Sequence, residues 1–324
     1  MSKPISVWAS AQTDSRAQRR GRYVPGTTAH PARMLPALAA TAIAGLTEPG
    51  DLVFDPMCGA GTTLIEAMHL GRAAVGVDIE PRWASLARDN IAHTRRHGVP
   101  GYAHVITADA RNLPEALPPD YLAQMRGRVK LVLTSPPYGP STHGIVSTRP
   151  GEPVSKRDFR YAYRARPANL AYQPLHRLLG GLTRILAGTL PLLAPNAHVV
   201  ITARPWREHG ELIDLPGAIA DAAQAAGLRP VQRCAALLAG VRDGELVTRA
   251  SFFQRSNVGK ARAAGASWHL VVHEDVLVLA AARRPARANA AQPPALPAAA
   301  WPIPGPKAAT ALAVESGQVR RAAA

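Results

Sequence analysis

Apolar residues follow two alternating periods along the chain, and this alternation predicts the order of its elements. Short apolar runs indicate buried strands at 51–55, 73–78, 103–109, 129–135, 197–203, about 229–238 and within 268–282. Segments with helical spacing of apolar positions lie at 30–46, 62–71, 81–98, about 170–193 and about 211–226. Strands that alternate with helices predict an α/β fold, with a mostly parallel sheet covered by helices on both faces.

The ends of the predicted strands locate a candidate ligand cleft. In open parallel sheets, ligands bind beyond the carboxyl ends of the strands, where the strand order reverses. We therefore expect the residues just after Asp55, Asp78, Thr107 and Thr134 to line one cleft.

Composition adds a class of partner to this picture. The chain has 324 residues, 47% of them hydrophobic, with a net charge of +16 and a pI near 10.9. A basic protein of this kind favours a polyanionic partner such as nucleic acid, although an Arg- and Ala-rich genome could also produce the charge. Two cysteines exclude a disulfide framework, and no apolar run reaches the length of a membrane span, so a soluble, cytoplasmic protein is expected.

The polar and apolar composition divides the chain into three parts. Residues 1–29 are basic and predict a flexible lead-in, 30–282 contain the alternating elements, and 283–324 are rich in Ala, Pro and Arg and predict a disordered tail. Within the middle part, the insertion 139–169 carries six Arg or Lys against two acids, with aromatic residues interleaved. This insertion is interpreted either as a surface that tracks and stacks on nucleic acid or as a solvated loop.

The segment FDPMCGAGTT, Phe54 to Thr63, follows the first predicted strand and opens a helix. Gly59 and Gly61 let the backbone approach a ligand, and the helix N-terminus favours a polar or anionic group. Position 64 is Leu and no G-K-[ST] follows, so neither a dinucleotide fingerprint nor a Walker loop is present. With Asp78, 23 residues after Asp55 and suited to ribose hydroxyls, the pattern predicts a nucleoside without a pyrophosphate.

The segment TSPPY ends the fourth predicted strand beside this cleft. The prolines fix the backbone, so the Pro136 carbonyl and the Ser135 hydroxyl could hold an exocyclic amino group by its hydrogens. The Tyr138 ring could stack on the base that carries this amine. The alternative is a strand-ending loop with a core tyrosine.

Together, the two motifs resemble the S-adenosylmethionine-dependent methyltransferases that act on amino groups of nucleic-acid bases. The resemblance covers roughly residues 23–140, and VVHEDVLVLA near the end is similar to the closing hairpin of these enzymes. It implies a Rossmann-like class I methyltransferase fold with a seven-stranded sheet, S-adenosylmethionine as the cofactor, and no metal. Met57 stands where many relatives have Phe, which keeps an apolar contact.

The resemblance also implies two sets of site residues, and the charge and aromatic pattern of the basic insertion predicts a third. The catalytic corner is Ser135, Pro136, Pro137 and Tyr138. The cofactor residues are His30, Pro31, Asp55, Pro56, Cys58, Gly59, Gly61, Thr62, Asp78, Ile79, Asp109 and Ala110. The substrate residues, in the basic insertion, are Arg157, Arg160, Tyr161, Tyr163 and Arg164. Asp109 could face the adenine or be an ordinary acid at a strand end.

The prediction of the target base rests on Ser135, the first residue of the corner. Serine is more typical of cytosine-N4 enzymes on DNA, which would require base flipping and suggests a restriction–modification context. No cysteine follows the prolines, which counts against cytosine-C5 chemistry. The alternatives are guanine N2 in tRNA, adenine N6 in DNA, and a non-catalytic nucleic-acid-binding protein on the same fold.

Overall fold

The computed structural model describes residues 5–31, 33–138, 145–147, 155–157, 168–208, 210–250 and 252–282. Its strands are β1 Val7–Trp8, β2 Leu52–Asp55, β3 Ala73–Asp78, β4 Tyr102–Thr107, β5 Val129–Thr134, β6 Ile145–Ser147, β7 Ser155–Arg157, β8 Leu193–Ala203, β9 Trp206–Glu208, β10 Glu211–Ile213, β11 Leu228–Leu237, β12 Ala239–Arg242, β13 Glu245–Thr248 and β14 His273–Ala281. Its helices are α1 Ser15–Arg19, α2 Pro36–Leu46, α3 Thr62–His69, α4 Pro81–Arg96, α5 Pro119–Met125, α6 Leu175–Thr189, α7 Leu215–Ala225 and α8 Phe252–Ala263.

One large sheet organises these elements, in the order β1-β11-β14-β8-β5-β2-β3-β4. The strands β2, β3, β4, β5 and β8 run parallel, and β14 runs antiparallel between β8 and β11. The order reverses beside β2, because β3 lies on one side of it and β5 on the other. The structure confirms the predicted Rossmann-like methyltransferase fold class, with eight strands instead of seven.

Alternating side chains of the central strands divide the core between the two faces of the sheet. In β2, Phe54 packs with residues of α6 and α7, whereas Val53 packs with residues of α2 and α3. Both side chains are fully buried. The continuous apolar runs predicted from the sequence therefore reflect strands that are covered on both faces.

The eighth strand comes from the lead-in, which the sequence predicted to be flexible. Instead, β1 pairs in parallel with β11, with Val7 opposite Ala235. The Arg19 guanidinium is buried and donates to the carbonyl of Met34 at 2.5 Å. These contacts attach residues 5–29 to the domain, because the basic residues find buried partners that a local pattern does not reveal.

Glu66 is the most important of these partners. Its carboxylate accepts from the Tyr23 hydroxyl at 2.7 Å and pairs with Arg22 at 2.5 Å. A glutamate three residues after Thr63 has the spacing of a capping box, but α3 is capped by Gly61 without a side-chain hydrogen bond. The helix starts instead from a left-handed glycine, and Glu66 is free to anchor the lead-in. The predicted tail, 283–324, lies outside the described residues.

Candidate active site

A cleft lies along the carboxyl edge of β2, β3, β4 and β5 and encloses about 920 Å³, including its open mouth. Each of the four strand ends contributes to it. Pro56, Ile79, Asp109 and Ser135, which follow these strands, all line this cofactor-side cleft. The expectation that the four strand ends share one cleft is confirmed.

Asp55 stabilises the loop between β2 and α3 through two hydrogen bonds. Its Oδ1 accepts from the Met57 N–H at 3.0 Å and its Oδ2 from the Thr63 hydroxyl at 2.7 Å. The carboxyl is 4% exposed, and burial raises its pKa to about 6 even though these bonds oppose the rise. Asp55 therefore shapes the loop more than it presents oxygens to the cleft.

Gly59 makes the loop narrow enough to form a cradle. Its φ is +51°, a left-handed conformation that favours glycine. A Cβ at this position would lie 2.7 Å from Nε2 of His30, whose ring contacts Trp83 edge-on at 4.6 Å. The glycine is therefore required by both its backbone angle and the imidazole beside it.

Asp78 connects the same loop to the next strand. Its Oδ2 accepts from the Gly59 N–H and its Oδ1 from the Glu80 N–H, each at 2.8 Å. Burial raises the pKa of this carboxyl to about 7, against these two bonds. Each carboxylate oxygen still has a second lone pair, so Asp78 can also accept hydroxyl groups from a ligand in the cleft.

Asp109 is engaged with its own neighbour. Its carboxylate accepts from Arg111 Nε at 3.0 Å and pairs with the Arg111 guanidinium at 2.6 Å. Burial acts to raise its pKa, but the Arg111 bonds outweigh it and hold the pKa below its ordinary value. A charged pair, and not a lone acid, therefore borders this end of the cleft.

The residues of the cofactor-side cleft that sequence reasoning missed include Glu80, Trp83 and Asn169. The buried Glu80 carboxylate accepts from the Asn169 side-chain amide at 2.8 Å. Glu80 could have been found, because it follows Asp78 by two residues at the same strand end. Asn169 gave no signal, since 89 residues separate it from Glu80.

A second, larger cleft adjoins the first and encloses about 2610 Å³, including its open mouth. We call it the base-side cleft. Residues of the β8–β10 region, α8 and the start of β14 form most of it. Among the described residues that line it, the cations are Arg33, Arg204, Arg207 and Lys260, and the acid is Glu274. The two clefts share Ser135, Arg33 and Met34.

Tyr138 belongs to the base-side cleft. Its ring centroid is 6.5 Å from that of Trp206, and the Arg204 guanidinium carbon lies 5.7 Å from the centre of the tyrosine ring. In the same cleft, Arg207 lies over the Trp268 ring at 4.7 Å. Alternating cations and aromatic rings suit a phosphate backbone and a planar base.

The predicted residues divide as follows. The cofactor-side cleft is lined by His30, Asp55, Pro56, Cys58, Gly59, Thr62, Asp78, Ile79, Asp109, Ala110, Ser135 and Pro137. Pro31 and Tyr138 line the base-side cleft, whereas Gly61 and the buried Pro136 line neither. Gly61 acts as the N-cap of α3, and a Cβ there would lie 3.1 Å from the Cβ of Ala87.

The predicted substrate residues cannot be placed in the same way. Arg160, Tyr161, Tyr163 and Arg164 lie outside the described residues, and Arg157 is described only as backbone in β7. Among the residues that the structure does describe, no cluster of His, Cys, Asp and Glu could hold a metal ion. In that same part of the chain, no helix is long and apolar enough to cross a membrane.

Comparison with known proteins agrees with this geometry. The sequence model of a DNA methylase family matches residues 2–89. A tRNA (guanine(10)-N2)-dimethyltransferase of Methanothermobacter thermautotrophicus is 35% identical over 127 residues, which cover 39% of this chain and 32% of that protein. The type II methyltransferase M2.DpnII of Streptococcus pneumoniae is 31% identical over 85 residues, 26% of this chain and 29% of that protein.

This chain thus spans about a third of the length of these curated relatives. Among solved structures, TrmN from Thermus thermophilus aligns with a TM-score of 0.46 and 18% identity, over 82% of this chain and 53% of that one.

The cofactor-side cleft fits the cofactor that the motifs imply. The cradle at Gly59 leaves no room for a Cβ, and carboxylates stand at the ends of β3 and β4, where hydroxyl and amino groups of a nucleoside need acceptors. The residues of this cleft therefore fit S-adenosylmethionine. Over part of its length, the chain is thus similar to a DNA methylase family and to a tRNA methyltransferase.

Proposed function

We propose that the protein transfers a methyl group to an exocyclic amino group of a nucleic-acid base. The observation that carries this proposal is that Ser135 lines both clefts, so the cofactor side and the base side meet at the proline corner. A group transfer requires the donor and the acceptor to meet at such a place.

The corner supplies the acceptor chemistry. S-adenosylmethionine provides an electrophilic methyl group when it is bound. The Ser135 hydroxyl, which belongs to a residue that lines both clefts, accepts a hydrogen bond from an amino hydrogen, and this draws the nitrogen lone pair out of conjugation with the ring. Pro136 lines neither cleft, so the proposal gives its carbonyl no contact with the amine. Tyr138 stacks on the base and fixes its plane, a contact worth roughly 1–3 kcal/mol. Orientation of the nitrogen toward the methyl carbon supplies the rest of the catalysis.

The base-side cleft supports a polynucleotide as the carrier of this base. Its four cations face one acid, and two of them lie over aromatic rings. Lysine and arginine contacts to phosphates position the strand, and the rings receive an extruded base. In the proposal, the basic insertion 139–169 contributes further contacts of this kind to the nucleic acid.

We put guanine N2 in RNA first among the possible targets. The match to the tRNA (guanine(10)-N2)-dimethyltransferase extends over 127 residues, and the match to the DNA enzyme M2.DpnII over 85. Cytosine N4 in DNA, which the sequence favoured, is the second candidate, because the DNA methylase family match and Ser135 support it.

Methyl transfer from labelled S-adenosylmethionine to separate pools of tRNA, ribosomal RNA and DNA tests the function. Mass spectrometry of the digested nucleosides then identifies N2-methylguanosine, N4-methylcytosine or N6-methyladenine. A Ser135→Ala variant that keeps its cofactor affinity is the control for contaminating methyltransferases. Cofactor binding without transfer to any pool would overturn the proposal and identify a non-catalytic nucleic-acid-binding protein.

A further inference from the structure

Glu274 is an acid in the base-side cleft that no motif of the proline corner includes. It stands at the start of β14, one residue before Asp275, which lies opposite Ala203 of β8. Because β14, β8 and β5 are neighbours in the sheet, Glu274 and Ser135 reach the same cleft from the same sheet edge. Tyr138 and Trp206 line this cleft as well.

Residues that line this cleft carry three buried polar atoms without a hydrogen-bond partner among the residues that the structure describes, one of them Nε of Arg33, a donor. The other two belong to residues that line the base-side cleft alone. They are Oε2 of Glu274, an acceptor, and Nε1 of Trp206, a donor. Buried polar atoms are nearly always paired in folded proteins, and an exception calls for an explanation. An acceptor and a donor on one cleft indicate a ligand that carries both kinds of group.

The Watson–Crick edges of the bases differ at the ring nitrogen beside the amino-bearing carbon. In guanine this atom is N1–H, a donor, whereas in cytosine and adenine the corresponding nitrogen is an acceptor. Guanine therefore presents an acceptor, a donor and an amino group in sequence. Trp206 N–H, the Glu274 carboxylate and Ser135 form the complementary set of one donor and two acceptors.

We propose that Glu274 determines the choice of base by accepting the N1–H of guanine in the base-side cleft, while Trp206 donates to the guanine O6. This inference rests on the proposed function and names its substrate base. Facing cytosine or adenine, an ionised Glu274 would meet a ring lone pair, which leaves two acceptors opposed.

The protonation state of Glu274 decides whether its carboxyl group accepts or donates a hydrogen bond in the base-side cleft. Burial raises the pKa of Glu274, whereas Arg204 and the Thr202 hydroxyl oppose the rise. A neutral carboxyl would be a donor and would suit cytosine or adenine. Because a glutamine amide imitates a neutral carboxyl, the Glu274→Gln variant separates the two cases.

The test measures kcat/KM for methylation of tRNA by Glu274→Gln, with Glu245→Gln, an exposed acid of β13, as the matched control. We expect Glu274→Gln to lower guanine methylation about 10- to 100-fold, the usual loss when a charged hydrogen-bond partner is removed. The affinity for S-adenosylmethionine and the activity of Glu245→Gln should stay at the wild-type level.

A substrate analogue tests the same contact without changing the protein. RNA that carries 2-aminopurine at the methylated position keeps the amino group but lacks both N1–H and O6. The wild type should methylate it about 10- to 100-fold less efficiently than guanine, and Glu274→Gln should reduce this preference. If Glu274→Gln does not fold, Trp206→Phe provides the second variant, and its loss should appear with guanine but not with 2-aminopurine.

The outcomes separate the inference from the function on which it rests. N4-methylcytosine or N6-methyladenine as the wild-type product would overturn the role of Glu274 and leave methyl transfer to a base intact. N2-methylguanosine with unchanged activity of Glu274→Gln and of Trp206→Phe would also overturn it. No transfer to any nucleic acid would overturn the proposed function, and the inference with it.

Discussion

The two clefts that meet at Ser135 differ in whether the protein itself supplies hydrogen bonds to their polar side-chain atoms. On the cofactor side, every carboxylate oxygen of Asp55 and Asp78 accepts a hydrogen bond from the protein itself. On the base side, within the described part of the chain, Glu274 Oε2 and Trp206 Nε1 have none. Asp55 and Asp78 are thus held in place by the protein's own contacts, whereas in the proposal the base-side cleft is completed by the base that it binds.

This difference separates affinity from selectivity. A site that is already organised binds its ligand at little cost in ordering. A site with buried polar atoms left over rejects any partner that cannot pair with them. Changes in the first cleft should therefore act on cofactor binding, and changes in the second on which base is methylated and how fast.

The largest effect is expected from Asp78→Ala. The change removes an acceptor at the end of β3 and both backbone bonds that Asp78 makes with the glycine loop and with Glu80. Since bonds to a charged acceptor are individually worth about 1.5–3 kcal/mol, the Kd for S-adenosylmethionine should rise at least ~100-fold. Isothermal titration calorimetry measures this directly.

Asp89→Ala, a change at an exposed acid of α4, serves as the control and should leave the Kd unchanged. A wild-type Kd in the Asp78→Ala variant would contradict the contrast between the two clefts. Cofactor binding would then not depend on the hydrogen-bonded carboxylates of the cofactor-side cleft.

The cofactor-side cleft was largely predictable from the sequence. Asp55, Gly59 and Asp78 occupy one stretch of strand, turn and strand, so local signals carry their positions. The predicted strand 73–78 matches β3 residue for residue. Helix α2 was predicted six residues too early, because Pro36 begins the helix and the preceding residues adopt another path.

The base-side cleft was not predictable in this way. Its walls come from parts of the chain that are far apart, such as Pro31, Arg204 and Glu274. Glu274 lies in a segment whose apolar pattern indicates only strands, and Trp206 lies in the connection between the predicted strand 197–203 and the next predicted helix. What makes them functional candidates is that the fold brings them to one cleft and leaves polar atoms of both buried, which is not a property of any short segment.

An intermediate effect is expected from Tyr138→Ala. The change removes the ring that faces Arg204 and Trp206 across the base-side cleft. Loss of stacking should lower kcat/KM for methyl transfer by about 10- to 100-fold, since base stacking on an aromatic side chain is worth roughly 1–3 kcal/mol. Cofactor affinity should remain at the wild-type level. Steady-state kinetics and calorimetry on the same preparation test both statements.

Tyr138→Phe is the matched control, because it keeps the ring and removes only the hydroxyl group. It should retain most of the activity. A collapse of cofactor binding in Tyr138→Ala would show that the corner supports the cofactor-side cleft structurally, and the two clefts would no longer be separable.

The smallest effect on cofactor affinity is expected from Asp55→Asn. This change tests whether a side chain that keeps the hydrogen bonds of Asp55 also keeps the affinity. The amide oxygen can still accept from the Met57 N–H, and the amide NH₂ can donate to the Thr63 hydroxyl. That hydroxyl can then donate to the Leu133 carbonyl, which lies 3.4 Å away. Every partner of Asp55 is therefore kept, and the affinity for S-adenosylmethionine should change little.

What Asp55→Asn should change is the dependence of stability on pH. Burial raises the pKa of Asp55 from an ordinary 3.8 to about 6 in the folded protein. Between these values the folded wild type holds a proton that the unfolded chain has lost, so its free energy of unfolding falls as the pH rises. The variant lacks this group. The Tm of the variant should equal that of the wild type near pH 4 and exceed it by a few degrees above pH 6. At higher pH the difference between the two Tm values should stay constant. A Tm difference that is the same at all these pH values would mean that the Asp55 carboxyl is ionised throughout, and that the loop is held by charge instead of by a neutral set of hydrogen bonds.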